Sequence, residues 1–242
     1  VKANDVRATT TLAAIKHGTL FNLYSGKSPF NDKYFDRDLR LFRPHEGDRK
    51  PMTGQFVGTS VVGRVEETGA DVADFQAGDL VFCQGPICET ITRPAGGWRK
   101  LDGLSAEDAL CQDPAFFAFG GVRDGRVGIG DHVAVFGLGA IGLFVVQLLK
   151  ASGALSIIAV DPLAKRRALA EQFGADLTLD PTAVDVAITI REELGTGVDV
   201  GIEVSGNYRA LRDCIRSCRQ CGRVETISYY KGVDSVLELG AD

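Results

Sequence analysis

The residues best placed to do chemistry are three glycines and an aspartate. Gly137-Leu138-Gly139-Ala140-Ile141-Gly142 follows an apolar, strand-like run, His132–Phe136, and opens a helix-like one. Strand, G-x-G-x-x-G and helix in that order make a phosphate-binding turn. Gly137 serves the tight turn, Gly139 lets a pyrophosphate approach the backbone, and Gly142 lets the helix pack on the strand. The helix N-terminus offers unpaired N–H groups and a positive dipole end to the phosphates. The six residues from Gly137 to Gly142 are therefore the candidate cofactor cradle. A second strand, Ser156–Val160, ends in Asp161, 24 residues after Gly137. A carboxylate there accepts ribose hydroxyls and repels a 2′-phosphate, which favours NAD over NADP. Arg166, within Lys165-Arg166-Arg167 one helical turn on, would flank the adenine or tolerate a 2′-phosphate, and so pulls the other way. Ser205 and Ser228 follow the apolar runs 198–204 and 224–227. Ligands lie across such strand ends in doubly wound sheets. Both serines are candidate nicotinamide-side contacts, or else ordinary strand-to-loop residues.

The elements that must position these residues follow from periodicity. In the second half, strand-length apolar runs begin near Val133, Ile157, Leu177, Val198 and Val224. Helical stretches lie between them at 140–152, 163–173, 184–194 and 208–219. Strands alternating with helices predict βαβ units and a parallel sheet. The first half reads as β-rich: strands over 6–15, 57–68 and 80–83, with glycines at 58 and 63 that imply bulges or tight packing. A helix starting at Ser105 is expected to run to Phe119, with Phe116, Phe117 and Phe119 as domain-junction core. The fold class is α/β, with a Rossmann domain over 123–242 behind a β-rich domain over 1–122. The boundary falls in the Gly-rich stretch 120–130.

Composition narrows the partners. The 242 residues carry 27 Lys+Arg against 32 Asp+Glu, a net charge of −5, and the longest basic run has three members. Nucleic acid and anionic membranes are poor partners for such a chain. The uncharged 17-residue run 133–149 is just short of a membrane span. Its glycines at 137, 139 and 142 make it a buried strand, turn and helix instead. Glycine makes up 29 residues, well above average usage, which implies many close backbone approaches. The six cysteines show no disulfide-scaffold spacing, so reduced thiols and a cytoplasmic location are expected. Cys214-x3-Cys218-x2-Cys221 lacks a fourth ligand at metal spacing and reads as buried structural thiols.

A β-rich first part followed by GLGAIG resembles the medium-chain dehydrogenase/reductase family, which is alcohol dehydrogenase-like. The resemblance covers nearly the whole chain. It is carried by residues 61–79, VVGRVEETGADVADFQAGD, similar to that family's GroES-like segment. Gly130-Asp131-His132-Val133-Ala134-Val135 and Gly174-Ala175-Asp176 match as well. The family implies hydride transfer between a nicotinamide cofactor and an alcohol, aldehyde, ketone or activated alkene, in a cleft between two domains. It also implies a homodimer or homotetramer.

Many members carry a catalytic zinc, and the resemblance locates its ligands. The family's Gly-Ile-Cys-Gly-Thr-Asp segment corresponds to Ile15-Lys16-His17-Gly18-Thr19-Leu20, with His17 replacing the cysteine. Its Gly-His-Glu is here Gly58-Thr59-Ser60, and the third ligand position is nearest to Asp113. Catalytic zinc wants three N, S or carboxylate ligands, and His17 and Asp113 supply two. Of the four structural-zinc cysteines, only Cys83 and Cys88 fall in that region. A zinc-independent member is expected. His17 is then the candidate proton-transfer group. Thr19 matches the family's hydroxyl relay, and Asn22 stands where some members have a relay histidine. Lys16 is a positive charge for a developing alkoxide, and Asp113 would orient His17 or bind a substrate hydroxyl. Arg37, Arg40 and Arg43 would reach a charged substrate or form a solvated face.

The expected function is NAD-linked oxidation or reduction of a hydroxyl- or carbonyl-bearing small molecule, with a sugar or polyol as the narrower expectation. The alternatives are an NADPH-dependent enoyl or quinone reductase of the same fold, and a non-catalytic NAD-binding sensor. The Rossmann half shows five strands against a usual six. Residues 235–239 lead toward the sixth, and the chain begins at Val1 rather than Met. Both features raise the expectation of a longer polypeptide.

Overall fold

The structure, a computed structural model, describes residues 1–25, 31–46 and 57–230. It divides into two compact units, Val1–Asp113 and Pro114–Asp242. The division falls inside a helix, nine residues before the one expected from the glycine-rich stretch.

In the first unit β1 (Asp5–Ala14) leads to α1 (His17–Tyr24), a short hairpin of β2 (Lys33–Asp36) and β3 (Leu41–Pro44), then β4 (Ser60–Thr68), β5 (Leu80–Gln84), β6 (Thr90–Pro94) and β7 (Arg99–Lys100). Five of these strands form one antiparallel sheet in the order β6-β1-β4-β5-β7. The β1–β4 register slips twice, between Arg7 and Ala8 and between Thr10 and Leu12, opposite a segment that contains Gly63. Val6, Ala8, Val61, Val65, Val81, Cys83 and Trp98 form its core.

The long helix expected from Ser105 is two helices, α2 (Ala106–Leu110) and α3 (Gln112–Asp124). Ser105 does cap α2, accepting the Asp108 N–H at 3.0 Å. The break at Cys111 lets Pro114 sit in a first turn, where its missing N–H costs nothing. The three phenylalanines of α3 are also not core: Phe116, Phe117 and Phe119 are exposed, while Ala118, Gly121 and Val122 are buried. Only one stripe of a helix can face inward, and α3 turns its small residues that way. Ala118 and Val122 pack with the second unit's sheet, which explains where the chain divides.

In the second unit β8 (His132–Phe136), α4 (Ala140–Ser152), β9 (Ser156–Val160), α5 (Ala164–Gln172), β10 (Leu177–Leu179), α6 (Val186–Leu194), β11 (Val198–Glu203), α7 (Tyr208–Ser217) and β12 (Cys218–Thr226) alternate as predicted. The sheet is parallel, in the order β10-β9-β8-β11-β12. Strand side chains alternate between faces, and both faces are apolar. Val133, Val135, Ile157, Ala159, Val200 and Ile202 meet α4 through Val145, Val146 and Leu149. Ala134, Phe136, Ile158 and Val160 meet α6 and α7 through Val186, Ile190 and Cys214. This is the expected α/β class, with a Rossmann-like sheet in one unit and an antiparallel sheet in the other. β12 starts six residues before the apolar run at 224, because Cys218 already pairs with Val198 ahead of a register shift. Residues 235–239, read as leading toward a sixth strand, lie outside the described residues. No described helix is long and apolar enough to cross a membrane.

Leu149 is fully buried between α4 and the sheet. Leu149→Ala should cost about 2–5 kcal/mol in urea unfolding; a loss below about 1 kcal/mol would show that α4 is not held by this face.

Candidate functional site

The cradle forms where β8 ends. Gly137 has φ +98°, a conformation open to glycine and strained for other residues. A Cβ at Gly137 would also stand 2.8 Å from the backbone nitrogen of Ser205, and one at Gly142 would stand 1.9 Å from the Gly137 carbonyl oxygen. The first and third glycines are thus required by the protein itself. Gly139 differs: a Cβ there would meet nothing within 4 Å. Its φ of −73° is ordinary, and it caps α4 without a side-chain hydrogen bond. The first-turn N–H groups of α4 are left for a partner other than a capping side chain. Open space above uncapped helical N–H groups fits a phosphate group.

Asp161 closes the adjacent strand and is 3% exposed. Its Oδ2 accepts the Leu138 N–H at 2.9 Å and its Oδ1 the Leu163 N–H at 2.9 Å. The Arg166 guanidinium approaches Oδ2 at 3.4 Å. The Leu138 side chain is fully buried, so this residue serves the loop's own architecture. Arg167 donates to the Asp161 carbonyl at 2.7 Å and pairs with Asp180 at 3.1 Å. Ser205 and Ser228 do come together, but around a residue that sequence reading missed. Glu203, the last residue of β11, is fully buried, and both hydroxyls donate to its carboxylate. A glutamate at the end of an otherwise apolar strand run was the only signal available.

In the first unit, Lys16 Nζ lies 2.8 Å from Asp113 Oδ2, and both side chains are largely covered. His17 begins α1, is exposed, and lies 6.2 Å from the Phe21 ring between centroids. Thr19 and Asn22 lie in α1, with their side chains outside the described set. Thr59 uses its hydroxyl on the Ala14 carbonyl at 3.3 Å. Ser60 is fully buried, with an Oγ that finds no partner among the described residues. Among the described residues no group of three His, Cys, Asp or Glu side chains is gathered. With Asp113 paired to a lysine and Thr59 bonded to backbone, the described donors do not fit a catalytic zinc. Nor do the cysteines: Cys83 is buried and Cys88 exposed, and Cys214 and Cys218 are buried while Cys221 is exposed. The Cys214 thiol is pushed up by its hydrogen bond with Cys218 and by burial, and the Cys218 thiol is lowered by the same bond. Arg43 pairs with Asp36 at 3.5 Å on the exposed hairpin.

Comparison with known proteins decides the family. Residues 140–240 match the family model described as zinc-binding dehydrogenase. The chain is 39% identical over 250 residues to D-guloside 3-dehydrogenase of Escherichia coli (strain K12), covering 100% of itself and 71% of that protein. It belongs to the medium-chain dehydrogenase/reductase family. A second relative, (R,R)-butanediol dehydrogenase of Bacillus subtilis (strain 168), is 32% identical over 221 residues, 78% of this chain and 62% of that one. The crystal structure of 2R,3R-butanediol dehydrogenase from Bacillus subtilis superposes with a TM-score of 0.73 at 26% identity, over 98% of this chain and 73% of that one. Its relatives are small-molecule oxidoreductases, and this family member is an enzyme of the dehydrogenase class. The family-model match lies wholly in the second unit, while His17, Thr59 and Asp113 lie in the first.

Gly142→Ala should destabilise this dehydrogenase by about 1–3 kcal/mol or more, because the obstructing atom is backbone. Gly139→Ala should stay within about 1 kcal/mol of the parent. Thermal unfolding of the two variants checks the contrast, and equal losses would contradict it.

Proposed function

We propose that this dehydrogenase oxidises a secondary hydroxyl of a sugar, glycoside or polyol with NAD as the hydride acceptor, or reduces the corresponding ketone. The carrying observation is the glycine cradle: Gly139 lies open to the uncapped N-terminus of α4, and Asp161 is beside it. The substrate class is supported by the 39% identity, along the whole chain, to a protein named D-guloside 3-dehydrogenase. A bound nicotinamide supplies the hydride chemistry; the protein must hold the substrate and handle one proton. Gly137, Gly139, Ala140, Ile141 and Gly142 hold the pyrophosphate. The preference for NAD rests on the Asp161 carboxylate, which disfavours a second phosphate on the ribose.

Lys16, held against Asp113, is the cation for the substrate oxygen as negative charge develops. His17, the next residue and open to solvent, accepts the hydroxyl proton directly or through Thr19. No step uses zinc, in keeping with the donor set at His17, Thr59 and Asp113. The enzyme is further proposed to work in the cytoplasm as a homodimer or homotetramer. One observation favours a second reading. Arg166 lies 3.4 Å from Asp161, and turned outward it would pair with a 2′-phosphate, as an NADPH-dependent enoyl or quinone reductase requires.

Titration with both reduced cofactors separates the two readings: NADH should bind at least about tenfold more tightly than NADPH, a difference of about 1.4 kcal/mol. Asp161→Ser should narrow the gap, and NADPH winning in the parent would overturn the NAD reading. The same preparation should reduce NAD with a panel of glycosides and alditols undiminished after dialysis against a chelator. One zinc per chain would overturn the metal-free reading.

His17→Ala should lower kcat by about 10²–10⁴-fold. Full turnover in this variant would remove His17 from the mechanism.

A further inference from the structure

Glu203 has no part in the roles given above to Asp161 or to Lys16 and Asp113. It is nonetheless the most fully enclosed carboxylate of the described chain, at 0% exposure. A carboxylate is an acceptor only, and burying it is tolerable where donors surround it. Five donors do. Oε1 accepts the Ser205 N–H at 2.7 Å and the Ser205 hydroxyl. Oε2 accepts the Gly206 N–H at 3.2 Å, the Ser228 hydroxyl, and the Tyr230 hydroxyl at 2.5 Å. Ser228 Oγ also lies 3.1 Å from the Glu203 carbonyl oxygen. Burial and the adjoining carboxylate push the Tyr230 phenol well above its ordinary range. Tyr208, the first residue of α7, packs on the Tyr230 ring at 5.0 Å between centroids.

These donors belong to two turns, the one leaving β11 and the one leaving β12. The first of them abuts the cradle, since the Ser205 nitrogen stands 2.8 Å from where a Gly137 Cβ would be. The sheet order explains the placement. From β8 the chain builds outward through β9 to β10, then returns to lay β11 and β12 on β8's other side. A dinucleotide spans the crevice at such a reversal, one mononucleotide over each half. Asp161, at the end of β9, belongs to the adenosine half. Glu203, at the end of β11, belongs to the other.

We propose that Glu203 is a positioning residue for the nicotinamide half of the dinucleotide. Through Ser205, Gly206, Ser228 and Tyr230 it fixes the turns after β11 and β12 as the seat for that half, while the adenosine half depends on the cradle and Asp161. Ser205 and Ser228 then act through Glu203, because their hydroxyls are spent on it. The inference rests on the dinucleotide reading of the cradle.

Calorimetric titration of the full chain with NADH and, separately, with ADP tests it. In Glu203→Gln, which places an amide among the donors, NADH affinity should fall about tenfold or more while ADP affinity stays within about twofold. Tyr230→Phe and Ser228→Ala each remove one donor and leave the carboxylate in place. Each should weaken NADH by a smaller factor, again without touching ADP, and they decide the matter should Glu203→Gln not fold. Equal weakening of both ligands, or unchanged NADH affinity in the two milder variants, would overturn the positioning role. A parent protein that binds ADP and NADH equally well would refute it too, while leaving the cradle intact. A parent that binds neither would sink the dinucleotide reading itself.

Discussion

The second unit depends on one close approach between backbones. The Gly137 carbonyl oxygen occupies space that any side chain at Gly142 would need, with only 1.9 Å to a would-be Cβ. That contact sets α4 directly on the end of β8. It places the helix's uncapped N-terminus over the turn and leaves Gly139 facing open space. The buried face of α4 secures the geometry from below through Val145, Val146 and Leu149. The cost of bending the chain so sharply is met by glycine at φ +98°, and the return is a concentrated set of donors with no side chain in the way.

Two buried carboxylates stand on either side of that turn and use the same physics for different ends. Asp161 ties the Leu138 N–H to the start of α5, so one carboxylate links the cradle to the second βα connection. Glu203 gathers the turns after β11 and β12 on the opposite side. Each is a charge-bearing group enclosed where water is scarce, which makes its hydrogen bonds strong and any orphaned donor costly. With both carboxylates satisfied, the turns on either side of the cradle are held by hydrogen bonds that lie within the protein.

The first unit solves a different problem. Its antiparallel sheet is a compact support for a short helix and one partly covered ion pair, Lys16 with Asp113. A lysine ammonium held by a carboxylate is a positive charge fixed next to His17 in the chain. The pair brings together positions 97 residues apart, one just before α1 and one at the start of α3.

Much of this was legible in the sequence. The strand–glycine–helix order, the apolar runs and Asp161 determined the parallel sheet, its five described strands and the site of the cradle, because period and glycine spacing are local properties. The bounds of α4, 140–152, were readable to the residue, since Gly139 and Gly153 flank it. What escaped depended on partners far along the chain. The packing of Ala118 and Val122 on the second sheet turns three phenylalanines outward. β12 begins in the polar stretch at Cys218 because a neighbouring strand accepts its backbone, and backbone pairing leaves no mark in side-chain pattern. Ser205 and Ser228 could be placed at strand ends, but the buried Glu203 between them could not be seen. Which polar groups share an enclosed space is set by how strands stack side by side, and only the tertiary structure decides that.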